Sequence, residues 1–197
     1  MATSDRSERR ETFTEKARRA QLIEITRDLI AERGYGGTSL QRIAEAAGIS
    51  KPAVLYYFSS KADVIAATYQ TVLAALTADM AAAVDEVGAA EAPAAYIRSM
   101  IRHLKEHPQH LRVLAEAAEH GGPPHERQDR WQPLATLIES AASARGAMVE
   151  DARTLAVIIG GAIDGIVAEQ LEDPAFDSRR AAEVLVALVG TPIAAER

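Results

Sequence analysis

The sequence contains no cysteine, and aromatic residues make up only 5% of its 197 residues. Without cysteine the chain can form no disulfide, no thiolate nucleophile and no cysteine-ligated zinc site, and this composition suits a reducing cytosol. The longest apolar run, at residues 155–163, ends at Asp164 and is well short of the ~20 residues of a transmembrane helix. The polar first ten residues contain no apolar segment typical of a signal peptide. We therefore expect a cytoplasmic protein that makes no contact with a membrane.

Charge is distributed unevenly along the chain. Residues 1–62 contain 11 Lys and Arg against 8 Asp and Glu, whereas the whole chain contains 22 against 28. Residues 63–197 therefore hold 11 against 20, so the N-terminal part carries +3 and the remainder −9. This asymmetry predicts an anionic partner for the N-terminal part only.

Apolar residues recur with the helical period in almost every segment. Leu22, Ile25 and Leu29, for example, form one stripe that ends before Gly34, a residue that commonly ends a helix. No strand-like alternation and no internal repeat interrupts this pattern, so the sequence predicts an all-α protein of about nine helices. We expect a domain of residues 1–62, in which residues 1–13 form a flexible arm, and a helical domain of residues 63–197. The boundary is expected inside or just before a long helix that begins near Lys61.

Residues 38–61 read TSLQRIAEAAGISKPAVLYYFSSK and predict two short helices joined by a turn at Gly48. Thr38 with Gln41 has the form of a capping box at the start of the first helix, and Ser50 can cap the second. Two helices joined by a short glycine-containing turn form the helix-turn-helix motif, whose second helix lies in the DNA major groove. The motif therefore predicts double-stranded DNA as the partner of the basic domain.

The side chains of this motif have different expected roles. Lys51, Ala53 and Val54, at the start of the second helix, are expected to face base edges. Tyr56, Tyr57 and Lys61 are expected to contact phosphates. Phe58 is expected to pack in the core, which is also the alternative role for the two tyrosines. The candidate DNA-binding residues are Thr38, Ser39, Ser50, Lys51, Pro52, Ala53, Val54, Tyr56, Tyr57 and Lys61.

The stretch GYGGTSLQRIAEAAGISKPAVLYYFSSKADVI resembles the N-terminal domain of the TetR family of transcriptional regulators, over about residues 16–65. One departure is Leu55, at a position where family members commonly have a tyrosine that contacts phosphate; Tyr56 or Tyr57 could take over that role. Two later stretches, HPQHLRVLAE and AIDGIVAEQLEDPAFDSRRAAEVLVALV, are similar to segments common in the family. The resemblance implies a homodimeric repressor that leaves a near-palindromic operator when a small-molecule effector, of unknown identity, binds the helical domain.

The resemblance also implies sites in the second domain. Gly161 and Gly165 lie four residues apart in an apolar helix, where each glycine costs about 1 kcal/mol relative to alanine, so another helix is expected to approach closely. That helix could belong to the same chain, but the resemblance favours a four-helix bundle across a two-fold axis. The expected dimer interface comprises Ile158, Gly161, Gly165, Val184 and Leu188. The expected effector site is mostly apolar with a few polar groups and comprises Tyr69, Leu73, Ile97, Met100, Ile101, His103, Leu104, Leu114, Trp131, Leu134 and Gln170.

Other residues of the second domain allow other interpretations. His103 and His107 share a helix face, as pairs of metal ligands often do, but Pro108 breaks that helix before His110 and the sequence shows no obvious third ligand. The carboxylates at residues 116, 119, 164 and 169 accompany no nucleophile or base at a catalytic spacing. We therefore expect no enzyme, no metal and no cofactor. An activator or a metal-sensing regulator of the same fold remains an alternative, as does a protein-interaction module with a vestigial helix-turn-helix.

Overall fold

The computed structural model describes residues 12–119 and 130–190, and all nine elements in these ranges are α-helices. The all-α class is therefore confirmed. The helices are α1 (Phe13–Gly37), α2 (Leu40–Ala46), α3 (Lys51–Tyr57), α4 (Lys61–Asp85), α5 (Ala92–Glu106), α6 (Pro108–Glu119), α7 (Gln132–Ala144), α8 (Ala152–Glu172) and α9 (Ser178–Gly190).

The chain divides into two compact units, Met1–Thr71 and Val72–Arg197. The division falls inside α4, so this helix contributes residues to both units. Most of the expected N-terminal arm lies outside the described residues. Its last two positions do not belong to an arm, because the Thr12 side chain accepts a hydrogen bond from the Glu15 backbone N–H and α1 begins at Phe13.

The first unit, called the head below, has a core built from α1 to α4. Its fully buried side chains include Leu22 of α1, Ile43 of α2, Val54 of α3 and Val64 of α4. The expected break of the first helix is present at Gly34, where the backbone leaves the helical region with φ of 68° and kinks before the last residues of α1. Such a positive φ is open to glycine at little cost, so α1 can break here and lead towards α2.

The second unit has a separate core in which α5 packs against α6, α7, α8 and α9. Trp131, which precedes α7, lies against Gly160 of α8, so closely that a Cβ on this glycine would be 2.1 Å from indole Cε2. Arg130 stacks on the same indole with its Cζ 4.5 Å from the ring centroid and donates two hydrogen bonds to Asp164. Asp164 is therefore the ion-pair partner of Arg130 and helps to hold this guanidinium on the indole of Trp131.

Two helices among the described residues, α4 and α8, are long and apolar enough to cross a membrane, judged by length and composition alone. Core helices of soluble proteins satisfy the same criterion, so these two helices are weak evidence for a membrane span. The absence of membrane contact stays a prediction.

Candidate DNA-binding and effector sites

The turn between α2 and α3 has the geometry of a helix-turn-helix motif. Gly48 adopts a φ of 64°, and the Ile49 N–H donates to the Ala44 carbonyl over 3.0 Å, which closes the end of α2. The Ser50 side chain then accepts a hydrogen bond from the Ala53 N–H and begins α3. Gly48 supplies a conformation that other residues rarely adopt, so the chain can turn sharply between α2 and α3.

Helix α3 has one buried and one exposed side. Val54 is 0% exposed and Phe58, the residue that ends the helix, is 3% exposed, because both pack in the core of the head. Lys51, Pro52 and Tyr56 are exposed, and Ala53 is half-buried. The expected role of Val54 at base edges is therefore wrong: its side chain holds α3 against α1 and α2 and has no surface to offer DNA.

The start of α2 differs from the expected capping box. Ser39, and not Thr38, caps this helix by accepting a hydrogen bond from the Arg42 N–H over 3.2 Å. Thr38 is 1% exposed and donates its hydroxyl hydrogen to the Gly34 carbonyl over 2.9 Å. Thr38 is therefore a buried link to the end of α1, and its expected place among the DNA contacts is wrong. Ser39 remains at the surface with an O–H that can still donate.

The two tyrosines of α3 are placed differently. Tyr56 is 62% exposed, and its hydroxyl donates to the Glu15 carboxylate over 2.8 Å. Tyr57 is half-buried, and its ring meets that of Tyr56 edge to face at a centroid distance of 5.0 Å. The backbone carbonyl of Tyr57 accepts a hydrogen bond from Arg19, whose guanidinium also lies over the Phe58 ring. The side chains of α1 thus fix the end of α3.

Lys61 begins α4 and faces the turn that follows Gly34. Its Nζ donates to the Tyr35 carbonyl over 2.7 Å and lies 4.3 Å from the centroid of the Tyr35 ring. The ammonium group therefore helps to hold the end of α1, and its role as a phosphate contact stays a prediction. Leu55, at 41% exposure, lies on the exposed side of α3.

Most of the expected effector-site residues lie in or against the core of the second unit. The buried members of the set are Ile97, Met100, Ile101, His103, Leu104 and Leu134, and the half-buried members are Leu73, Leu114, Trp131 and Gln170. Tyr69, also half-buried, precedes the division of the chain and belongs to the head. Core packing accounts for the buried aliphatic members, so an effector contact stays a prediction for each.

Gln170 differs from the apolar members of this set. Its amide Nε2 donates to the Leu104 carbonyl over 3.4 Å, while its Oε1 is buried with no hydrogen-bond partner among the described residues. A buried acceptor without a donor costs about 1–3 kcal/mol, so it marks a place where a bound molecule could supply the missing hydrogen. Sequence patterns alone could not distinguish this glutamine from one in contact with solvent.

Helix α5 ends before His110, as the sequence predicts, and the three histidine rings nevertheless lie together. Helix α6 turns back so that His103 Nε2 lies 3.0 Å from His110 Nδ1. His107 packs against both rings, with centroid distances of 4.6 Å to His103 and 4.9 Å to His110. Asp79, which the sequence analysis missed, accepts a hydrogen bond from His103 Nδ1 over 2.6 Å. That hydrogen bond is the main cause of a lowered pKa of the Asp79 carboxyl.

Helices α8 and α9 expose an apolar surface, called the α8–α9 face below. Gly161 and Gly165 are open to solvent, and a Cβ on either would meet no heavy atom of the chain within 4 Å. Close packing within one chain, the first of the two explanations for these glycines, is therefore wrong. The large apolar side chains that are at least 38% exposed on these helices are Val157, Ile158, Val184, Leu188 and Val189.

Known proteins resemble this chain in both sequence and fold. The model of bacterial regulatory proteins of the tetR family matches residues 22–68. The transcriptional regulator RutR of Escherichia coli K12 is 30% identical over 107 residues, 54% of this chain and 50% of RutR. The chain therefore spans about half the length of the curated relatives it matches.

Solved structures share the fold over most of the chain. A transcriptional regulator from Pseudomonas aeruginosa PAO1 has a TM-score of 0.76 at 23% identity and covers 88% of this chain and 89% of its own. FadR of Bacillus subtilis in complex with stearoyl-CoA has a TM-score of 0.67 at 21% identity, covering 86% and 96%. The head and helical second domain are thus confirmed as a fold, and the sequence matches confirm the resemblance to the TetR family.

Proposed function

We propose, from the premise that this chain is a TetR family transcriptional regulator, that it works as a homodimeric repressor released from its operator by a small molecule. The observation that carries the proposal is the division of α3 into a side fixed in the core by Val54 and a side that exposes Lys51. A recognition helix needs both, because its exposed side chains must be held rigidly to read base edges.

The exposed and half-buried residues around α3 take the DNA contacts in this proposal. Lys51 and Ala53 face base edges, and the hydroxyls of Ser39, Ser50 and Tyr56 donate to phosphates, as do the side chains of Tyr57 and Lys61. Phosphate contacts fix the orientation of the protein, whereas base contacts select the sequence. The neighbouring Glu15 carboxylate must release Tyr56 when a phosphate approaches, since both are anionic acceptors.

The α8–α9 face supports the homodimer. Ile158 is 63% exposed and Leu188 is 67% exposed, which places large apolar side chains in water beside two open glycines. Contiguous exposed apolar surface is a mark of interaction sites, and missing side chains at Gly161 and Gly165 allow helix backbones to approach. A second copy offers the same surface, so a two-fold contact buries both faces at once.

The effector site is proposed in the second unit, near Gln170. Its orphaned Oε1 supports this place, because a ligand that donates a hydrogen bond there would remove the cost of an unsatisfied acceptor. FadR of Bacillus subtilis, a structural neighbour, holds stearoyl-CoA in its complex. An effector acts only through a difference in its affinity for two states of the protein, so its binding must differ between the DNA-bound and free dimers.

The cellular location and the lack of an enzymatic activity are also proposed from the family premise. TetR family regulators bind DNA and are not enzymes, and we propose that this one acts in the cytoplasm without membrane contact. An activator of the same fold is the alternative. A reporter gene under a promoter that carries the selected operator distinguishes the two. Deletion of the gene for this protein should raise reporter transcription if the protein is a repressor and lower it if the protein is an activator.

Selection of DNA from a pool of random duplexes tests the proposal. Two heads must reach successive major grooves, about 34–36 Å apart or a multiple of this distance. We expect a near-palindromic consensus, bound by two chains or a multiple of two at low salt. Recovery of no enriched sequence by a folded protein would instead support a protein-interaction module with a vestigial helix-turn-helix.

A further inference from the structure

Three imidazoles and one carboxylate converge in the second unit. We propose that Asp79, His103 and His107 bind one divalent ion of the zinc class, with His110 as an orienting partner. The potential ligand atoms of the first three residues all lie within 4.8 Å of one another. Because metal binding can be measured directly, this inference does not depend on the proposed DNA function.

Helices α4 and α5 bring the three ligand side chains together. Asp79 comes from α4, His103 from the last turns of α5, and His107 from the residue at which α5 ends. The spacing of four residues places the two histidines on the same side of the chain. His107 and Asp79 are exposed, whereas His103 is 2% exposed. The cluster therefore has a rigid buried member and two members that an ion can reach from solvent.

The hydrogen bonds of the cluster prepare His103 as a ligand. Its Nδ1 lies 2.6 Å from Asp79 Oδ2, and its Nε2 lies 3.0 Å from His110 Nδ1. An incoming ion displaces to solvent the Nδ1 proton that His103 donates to Asp79, while a proton on Nε2, donated to His110, leaves the Nδ1 lone pair free for the ion. An outer hydrogen bond of this kind sets the tautomer and orientation of most metal-binding histidines.

An ion would then take the place of the proton between Asp79 and His103. Zinc bonds to nitrogen or carboxylate oxygen are about 2.0–2.2 Å long, so tetrahedral ligands lie about 3.3 Å apart. The Asp79–His103 distance must open by under about 1 Å, which an exposed aspartate can accommodate. His107 supplies the third ligand, and water or an effector anion can take the fourth position.

A hydrogen-bonded histidine chain without metal is the competing explanation. It accounts for Asp79, His103 and His110, but His107 joins these groups through ring contacts at 4.6 and 4.9 Å. The histidine chain therefore leaves the position of His107 unexplained, whereas an ion gives all three ligand atoms, which lie within 4.8 Å of one another, a common partner. Nitrogen and carboxylate donors without sulfur suit Zn²⁺, Co²⁺ and Ni²⁺, and Co²⁺ gives a visible signature of its coordination.

The full-length protein, dialysed against a chelator and then freed of it, provides the test. We expect calorimetric titration with Zn²⁺ to give one ion per chain, and Co²⁺ to produce the intense visible absorption of a four-coordinate site. Asp79→Asn and His107→Ala change exposed residues, so both variants should keep the helical circular dichroism of the parent. Each should weaken Zn²⁺ binding at least about tenfold, because it removes one of three ligands.

Asp85→Asn is the matched control, since Asp85 is an exposed aspartate at the end of the same helix. It should bind Zn²⁺ like the parent. His110→Ala should weaken binding less than His107→Ala, as expected of an orienting partner. The inference is overturned if the parent binds no Zn²⁺, if Co²⁺ remains six-coordinate, or if Asp79→Asn and His107→Ala both bind as the parent does.

Discussion

Trp131 and Gly160 are in direct contact, and a methyl group on the glycine would overlap the indole at 2.1 Å from Cε2. The adjacent Gly161 has no heavy atom of the chain within 4 Å of the same position. Consecutive glycines in α8 thus serve different purposes: one accepts the only tryptophan of the chain, and the other leaves the α8–α9 face open.

This contrast predicts opposite behaviour of two alanine variants. Gly160→Ala should lower the free energy of unfolding by about 1–3 kcal/mol, because the indole must move from a well-packed position. Gly161→Ala adds the same methyl group in open space and should avoid this loss within the chain. Urea denaturation followed by the fluorescence of Trp131 measures both. Equal midpoints for the two variants would contradict the packing role of Gly160.

The burial of Val54 predicts a stability effect inside the recognition helix. Val54→Ala should reduce the stability of the head by about 2 kcal/mol, since it removes buried methyl groups from a core that cannot fully close around the gap. Leu55→Ala is the control, because Leu55 is 41% exposed while Val54 is 0% exposed. Thermal unfolding of both variants gives the comparison, and a larger loss for Leu55→Ala would be evidence against the observed orientation of α3.

The exposed start of α3 predicts a change of DNA sequence preference. Ala53→Arg places a guanidinium near the base edges and should alter the consensus selected from random duplexes, because arginine prefers guanine. Ala46→Arg adds the same charge to an exposed position on α2. It should change affinity at low salt without changing the consensus. The same consensus from Ala53→Arg as from the parent would show that this position does not reach the bases.

The α8–α9 face predicts how the dimer can be disrupted. Gly165→Leu should separate the helix backbones and give monomers or a rearranged dimer, with weakened operator binding and an intact head. Glu139→Leu adds the same side chain at an exposed position of α7 and should remain a dimer like the parent. Solution scattering over a range of protein concentrations measures the assembly. A parent-like Gly165→Leu dimer with unchanged operator affinity rules out this interface.

The ion pair between α5 and α9 predicts a small dependence of stability on pH. Arg98 donates hydrogen bonds to both carboxylate oxygens of Glu183 and lowers the pKa of this group from its usual 4.5. A lowered folded-state pKa stabilises the fold above pH about 4.5, and this contribution is lost as the pH falls through the folded-state pKa.

Glu183→Gln should therefore reduce stability at neutral pH by less than about 1 kcal/mol, since both partners are well exposed. Its deficit relative to the parent should vanish in acid. Urea midpoints at a series of pH values measure this difference. A deficit that persists unchanged to the lowest pH at which the parent folds would assign the effect to packing.

The sequence by itself determined the helices and the helix-turn-helix, because their causes are local. Apolar periodicity, the stop at Gly34 and the cap at Ser50 each depend on residues within one or two turns, and the structure retains all three. Even so, the sequence could not tell whether Thr38 or Ser39 caps α2. The structure decides for Ser39, because the Thr38 hydroxyl donates a hydrogen bond to the Gly34 carbonyl of α1.

Only the tertiary structure decided which side chains meet across the chain. Asp79 pairs with His103, and His110 contacts His103, across different helices. The difference between Gly160 and Gly161 depends on whether a side chain of another segment packs against the glycine. Helical periodicity tells which side of a helix is apolar, but not which neighbour covers it. The packing of whole helices decides which neighbour that is. Because the neighbour can lie far away along the chain, no local sequence pattern identifies it.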